Sequence, residues 1–132
     1  MRRVDLLHRD LSYQIVGICF KIHNYLGTYR NEKQYCDAIE YACNLKGIYY
    51  EREKVLPLSF EGEQKGRNRV DFMIENKIIL EIKRVPGITR NEYHQSMRYL
   101  ASCDKDLCLL INFYPKALQV RRILNPKLIN KN

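Results

Sequence analysis

Residues 69–83 read RVDFMIENKIILEIK, two apolar runs separated by the polar residues Glu75-Asn76-Lys77. Each run is six residues long and rich in side chains that favour extended structure, so the stretch predicts a β-hairpin over 69–74 and 78–83. A loop of three residues is an odd number, which would place Asp71 directly opposite Glu81. Opposed residues share one face of the sheet and lie roughly 5 Å apart at Cβ.

Charged side chains stand out on this apolar hairpin. Glu81 and Lys83 are two residues apart, so both should point to one face while Leu80 and Ile82 point into the core. Two opposed carboxylates repel each other, and a hard cation such as Mg²⁺ between Asp71 and Glu81 would reverse that effect. Lys83 could then polarise an attacking water. The alternative, a structural hairpin carrying an ion pair, stays open at this point.

The elements on either side of the hairpin alternate between helical and extended patterns. We expect one domain over 1–132, with a core of about 11–123 and loosely held ends at 1–10 and 125–132. The order predicts an α/β or α+β domain in which helices flank a mixed sheet. The predicted helices are 11–26, 32–46 and 90–102, and the other predicted strands are 48–53, 55–60, 107–113 and 118–123. The predicted buried stripes are Tyr35, Ala38, Ala42 and Leu45 on the second helix and Tyr93, Met97 and Leu100 on the third.

Composition and charge narrow the class of protein. A net charge of +8 and a pI of about 9.3 favour a polyanionic partner, although a basic solvated surface would give the same numbers. The five cysteines form no C-x-x-C pair, so we expect reduced thiols rather than a zinc site. No signal peptide or membrane-length apolar run is visible, which predicts a soluble cytoplasmic protein with no membrane partner.

Further polar residues along the chain form an ordered series with the hairpin residues. Glu32 opens the second helix three residues before Tyr35, and Gln95 lies four residues before Tyr99 on the third. With Gly27, Asp71, Glu81-Ile82-Lys83 and Ile111-Asn112-Phe113, this series resembles the GxxExxY family of the PD-(D/E)XK nuclease superfamily over about residues 11–123. Tyr29 stands where the name motif of that family has a glycine.

The resemblance implies a mixed central sheet flanked by helices and a site that binds Mg²⁺ or Mn²⁺. It implies that Asp71 and Glu81 hold the metal and that the carbonyl of Ile82 adds a ligand. Lys83 would serve the attacking water. Glu32 would be an accessory carboxylate, and Gln95 would orient water or contact the substrate.

Three functional hypotheses follow. The first is an Mg²⁺-dependent nuclease acting on DNA, and the second is a catalytically silent nucleic-acid-binding or assembly subunit with the same fold. The third is a homodimer in which a partner's edge strand completes a larger cleft. Nucleic-acid contacts are predicted at Lys65, Arg67, Arg69, Arg84, Arg90 and Tyr99.

Overall fold

The computed structural model describes residues 7–129, which form a five-stranded sheet and four helices. The strands lie side by side in the order β1-β2-β3-β4-β5. Among the described residues, no helix is both long and apolar enough to span a membrane. The elements are α1 (Arg9–Leu26), α2 (Glu32–Lys46), β1 (Tyr50–Val55), β2 (Arg69–Ile74), β3 (Ile78–Lys83), α3 (Arg90–Cys103), β4 (Leu107–Asn112), β5 (Gln119–Leu124) and α4 (Pro126–Ile129).

The sheet is mixed, which confirms the predicted fold class. Neighbouring strands are antiparallel except β3 and β4, which run parallel because α3 carries the chain back between them. Helices α1 and α2 pack on one face, where Ile15 and Ile39 meet Leu80. Helix α3 packs on the other face, where Leu100 meets Ile79. Since β3 and β4 are covered on both faces, nearly every residue in them is buried.

The β2–β3 hairpin has the predicted boundaries and the predicted register. Its backbone pairs are Phe72↔Leu80, Met73↔Ile79 and Ile74↔Ile78. The loop is closed by a hydrogen bond of 2.9 Å from the N–H of Lys77 to the carbonyl of Ile74. Extending this register by one residue places Asp71 opposite Glu81, as the odd loop length predicts.

The prediction of two strands over 48–53 and 55–60 was wrong. The structure has a single strand, Tyr50–Val55, at the edge of the sheet. The backbone N–H of Leu56 still bonds to the carbonyl of Asn68, but Pro57 has no N–H to continue the ladder. The chain therefore leaves the sheet there and returns only at Arg69.

The two predicted helix stripes were partly wrong. Leu45 is 71% exposed and Tyr93 is 44% exposed. Helix α2 buries its larger apolar side chains, and the predicted Ala38 and Ala42 are partly buried against the same core. The fully buried residues of α2 are Tyr35, Cys36, Ile39 and Cys43. All five cysteines are free, as expected.

Two helical segments lie near the ends of the described residues. Helix α1 already begins at Arg9, and Pro126–Ile129 form a short helix after the buried residue Asn125. The expectation of loose ends at 1–6 and 130–132 lies outside the described residues.

Candidate active site

At the centre of the site, hydrogen bonds from backbone N–H groups to carboxylate oxygens replace the backbone pairing of β2 with β3. Beyond the Phe72↔Leu80 pair, the Oε2 atom of Glu81 accepts a hydrogen bond of 2.6 Å from the backbone N–H of Asp71. In return, the Oδ2 atom of Asp71 accepts one of 2.7 Å from the backbone N–H of Ile82. Each carboxylate is thus fixed by the opposite strand through one oxygen.

The two carboxyl groups are unfavourably placed as bare charges. Glu81 is only 3% exposed, and burial together with the nearby charge of Asp71 raises its pKa to about 8. Burial also raises the pKa of Asp71, with Glu32 and Glu53 adding to the effect. A bound cation would relieve both penalties, so the electrostatics of this pair suit a metal ligand set.

Lys83 completes the predicted triad on the α3 side of the sheet. Its Nζ atom donates a hydrogen bond of 2.8 Å to the Oε1 atom of Gln95 on α3. Helix α3 is held there by a capping box in which Glu92 accepts from the N–H of Thr89 at 2.7 Å. The positive charge of Lys83 lowers the pKa of both carboxyl groups, although burial outweighs it.

Glu32 reaches the same site from α2. It is the first residue of the helix, which Asn31 caps through a bond of 2.9 Å from the N–H of Gln34. Its Oε2 atom accepts a hydrogen bond of 2.9 Å from the backbone N–H of Arg84, directly after Lys83. The structure therefore brings Glu32, Gln95 and the triad together.

Tyr35 holds two loops near the site together, a role that the sequence did not reveal. The buried hydroxyl donates to the carbonyl of Gly27 at 2.5 Å and accepts from the N–H of Arg30 at 3.3 Å. Its ring stacks on Phe113 with centroids 4.2 Å apart. Tyr35 thus ties the α1–α2 loop to the loop that follows β4.

Asn112 does the same for the loops after β3 and β4. Its Oδ1 atom accepts from the N–H groups of Val85, at 3.0 Å, and Tyr114, at 3.2 Å. Its Nδ2 atom donates to the carbonyl of Val85 at 2.8 Å and to Gln119 at 3.0 Å. In the sequence, this role of Asn112 is indicated only by a polar amide at the end of the apolar run 107–111.

Glu53 is a further carboxylate that sequence reasoning missed. The β1–β2 register places it opposite Asp71, and its φ of 51° is unusual for a residue other than glycine. It lines a pocket of about 160 Å³ that also includes Glu32, Arg69 and Asp71. The Nη1 atom of Arg69 lies 3.8 Å from its Oε1 atom. In the sequence Glu53 is one of several charged residues on β1, so nothing distinguishes it as a site residue.

The predicted nucleic-acid contacts lie in different parts of the structure. Arg69 lines a pocket with Glu32 and Asp71, Arg84 lies beside Glu32, and Arg90 is exposed at the start of α3. Lys65 and Arg67 are exposed on the loop between β1 and β2. Tyr99 is 7% exposed and belongs to the core cluster on the α3 side of the sheet, so its ring offers little surface for the predicted contact.

A divalent metal at Asp71 and Glu81 would need further oxygen ligands from water or substrate. In residues 7–129, no group of three His, Cys, Asp or Glu side chains is placed to hold a metal ion. Asp71 and Glu81 supply two carboxylates, and Mg²⁺ usually binds through one or two carboxylates plus waters and substrate phosphates. The pair therefore fits a metal that binds together with its substrate.

One comparison with known proteins identifies a superfamily. A family model described as PD-(D/E)XK nuclease superfamily matches residues 9–123. No curated protein and no solved structure is similar enough to the chain to count as a match.

Proposed function

The chain belongs to the PD-(D/E)XK nuclease superfamily, and we propose that it is a metal-dependent nuclease that hydrolyses phosphodiester bonds in DNA. The proposal assigns Mg²⁺ or Mn²⁺ to Asp71 and Glu81, with the carbonyl of Ile82 as a further ligand. When bound, the metal would supply a Lewis acid for the phosphoryl oxygen and lower the pKa of a coordinated water.

The observation that carries the proposal is the buried carboxylate pair with a lysine beside it. Asp71 and Glu81 are held by each other's strands, and burial raises the pKa of both. A stable fold gains nothing from burying two like charges at one point. Groups arranged in this way are typical of sites that bind a cation or move protons.

We assign to Lys83 the role of holding the attacking water. Its ammonium group is already oriented by Gln95 at 2.8 Å, so it needs little reorganisation to hold a water or to neutralise charge that develops on phosphate. Glu32 would act as an accessory carboxylate. Because it accepts from the N–H of Arg84, it also fixes the chain that follows Lys83.

A nucleic-acid substrate is supported by charge. The net charge is +8, Arg69 lies beside Asp71, and Arg84 lies beside Glu32. Contacts from such residues to phosphates give affinity that depends on salt and little on sequence. Lys65, Arg67 and Arg90 are exposed and would extend the same surface.

The test is a cleavage assay on single- and double-stranded DNA and RNA with Mg²⁺ or Mn²⁺. Lys83→Ala should lower the cleavage rate by at least about 100-fold while retaining most nucleic-acid affinity, because its role is confined to the transition state. Lys77→Ala is the matched control. Lys77 is exposed at the far end of β3, about 20 Å from Lys83 along the strand.

Each outcome separates the enzyme from the binding-subunit hypothesis. Cleavage by the wild type and the Lys77→Ala variant but not by Lys83→Ala supports the nuclease. If the wild type binds nucleic acid but does not cut any of the four substrates with either metal, the silent-subunit hypothesis replaces it. Membership of the GxxExxY family and a homodimer stay predictions from the sequence.

A further inference from the structure

Three loops meet beyond the carboxyl ends of β3 and β4 and present two tyrosines with two arginines. Tyr29 is 72% exposed, and the guanidinium of Arg30 lies 5.1 Å from its ring centroid. Tyr114 is 42% exposed, and the guanidinium of Arg84 lies 5.2 Å from its ring centroid. We call these four residues the tyrosine platform.

A hydrogen bond links the two halves of the platform next to the proposed catalytic lysine. Arg84 follows Lys83 in the chain, and its Nε atom donates to the carbonyl of Thr28 at 2.8 Å. This bond joins the loop that carries Tyr29 to the arginine that covers Tyr114. An open depression of about 460 Å³ adjoins the platform and is lined by Arg84, Glu32, Asn31 and Lys33. Glu32 is thus shared between the depression and the active site.

Buried anchors hold the platform in place. Tyr35 binds the backbone of Gly27 and Arg30, and Asn112 accepts from the N–H of Tyr114. Both anchors are fully buried. Exposed aromatic side chains on loops are ordinarily mobile, so fixing their backbone in this way reduces the entropy lost when a ligand stacks on them.

The guanidinium of Arg30 has few acceptors within the described part of the protein. The Nε atom of Arg30 is buried, and no acceptor among the described residues bonds to it. Its Nη2 atom makes only a long contact of 3.5 Å to the hydroxyl of Tyr29. A guanidinium with spare donors beside an exposed ring matches a nucleotide, which presents a phosphate and an aromatic base together.

We propose that the tyrosine platform binds unpaired nucleotides, with bases stacked on Tyr29 and Tyr114, and that the substrate is single-stranded or has a single-stranded end. The inference rests on the proposed nuclease function and narrows its substrate class. In a duplex the faces of the bases are covered by their neighbours, so the exposed parts of the two tyrosine rings can stack only on unpaired bases. The strand would pass from the platform to the carboxylates past Arg84.

The first test measures binding of a fluorescein-labelled (dT)20 strand and a 20-base-pair duplex in EDTA, which prevents metal-dependent cleavage. Tyr29→Ala and Tyr114→Ala should each weaken binding of (dT)20 by about 5- to 150-fold. Duplex binding should change less than about threefold. Tyr29→Phe and Tyr114→Phe keep the ring and should retain affinity. Tyr41→Ala is the control, because Tyr41 is 67% exposed on α2, about 14 Å along the helix from Glu32.

A second measurement reports stacking directly. The chain has no tryptophan, so Tyr114→Trp introduces a single reporter beside Arg84. Its fluorescence should be quenched on addition of (dT)20 and not on addition of the duplex.

The inference fails if the alanine variants bind (dT)20 as well as the wild type, if they lose both ligands equally, or if the reporter does not respond. Those results leave the nuclease untouched when Lys83→Ala still abolishes cleavage. Selective loss of (dT)20 binding in a protein that never cuts would support the platform and reject the nuclease.

Discussion

Glu81→Gln should make the metal-free protein more stable, and the gain should depend on pH. The substitution keeps the size of the side chain and an oxygen that can accept from the N–H of Asp71, but it removes the charge. In the native protein Glu81 is 3% exposed and faces Asp71, and these surroundings raise its pKa from an ordinary 4.5 to about 8. Between these two values the unfolded chain is ionised while the folded chain retains its proton.

The sign and size of the effect follow from proton linkage. A folded-state pKa above the unfolded value means that stability falls as pH rises from about 4.5 to about 8 and stays low above it. At about 1.4 kcal/mol per pH unit, the cost at pH 9 is at most about 5 kcal/mol. Because neutral Gln also relieves Asp71, we expect a gain of about 2–5 kcal/mol at pH 9 and less than about 1 kcal/mol at pH 5.

The assay is thermal unfolding in EDTA at pH 5 and pH 9 for the wild type, Glu81→Gln and Glu61→Gln. A domain of this size shifts its Tm by about 3–5 °C per kcal/mol, so the gain should exceed about 6 °C at pH 9. Glu61 is an exposed residue of the loop after β1, and its substitution should change nothing. Adding Mg²⁺ should stabilise the wild type more than Glu81→Gln.

A gain of equal size at both pH values would show that the carboxylate charge is not the source of the instability. A loss of stability at pH 9 would show that the charge helps the fold. Either result would contradict our account of the site, because the case for a cation depends on the repulsion between Asp71 and Glu81.

Three further predictions test the site, its partner and its support. In calorimetry, Asp71→Asn should bind Mn²⁺ at least about tenfold more weakly than the wild type, and identical isotherms would exclude Asp71 as a ligand. The Mn²⁺ affinity of the wild type should rise toward pH 8, because the metal must displace the proton of Glu81. Binding to nucleic acid should weaken by orders of magnitude between 50 and 200 mM salt if about six phosphates are neutralised; a flat response in filter binding would indicate another partner. Tyr35→Phe leaves two partly buried backbone groups without their partner and should cost about 1–3 kcal/mol in urea unfolding. An unchanged midpoint would show that the hydroxyl does not hold the loop.

The hairpin could be predicted from the sequence because its information is local. The apolar runs set the two strands and the three-residue loop set the register, so the positions of Asp71 and Glu81 followed. Residues 55–60 were misassigned because their alternation is that of a strand. Only the missing N–H of Pro57 and the partner strand decide where pairing ends.

The supporting residues of the site could not be predicted in the same way, because their roles depend on contacts between distant segments. Tyr35 looked like an ordinary core residue of α2, yet its hydroxyl closes the α1–α2 loop. Tyr99 shows the reverse: helical spacing put it on one face with Gln95, but the third helix turns that ring into the core. Period alone fixes which residues share a face and leaves open which face meets the sheet.

The arrangement of the site explains why so much of the sheet is apolar. The β2–β3 backbone pairs stop before Asp71 and Glu81, so this end of the hairpin lacks part of its backbone hydrogen-bonding ladder. Burial on both faces of Ile79, Leu80 and the whole of β4 offsets that loss immediately next to the charges. Asn112 ends this apolar strand and binds the loops after β3 and β4, so the element that stabilises the sheet also fixes the surface beside the lysine. A substitution of Asn112 should therefore disturb both the stability of the sheet and the surface that we propose positions the substrate.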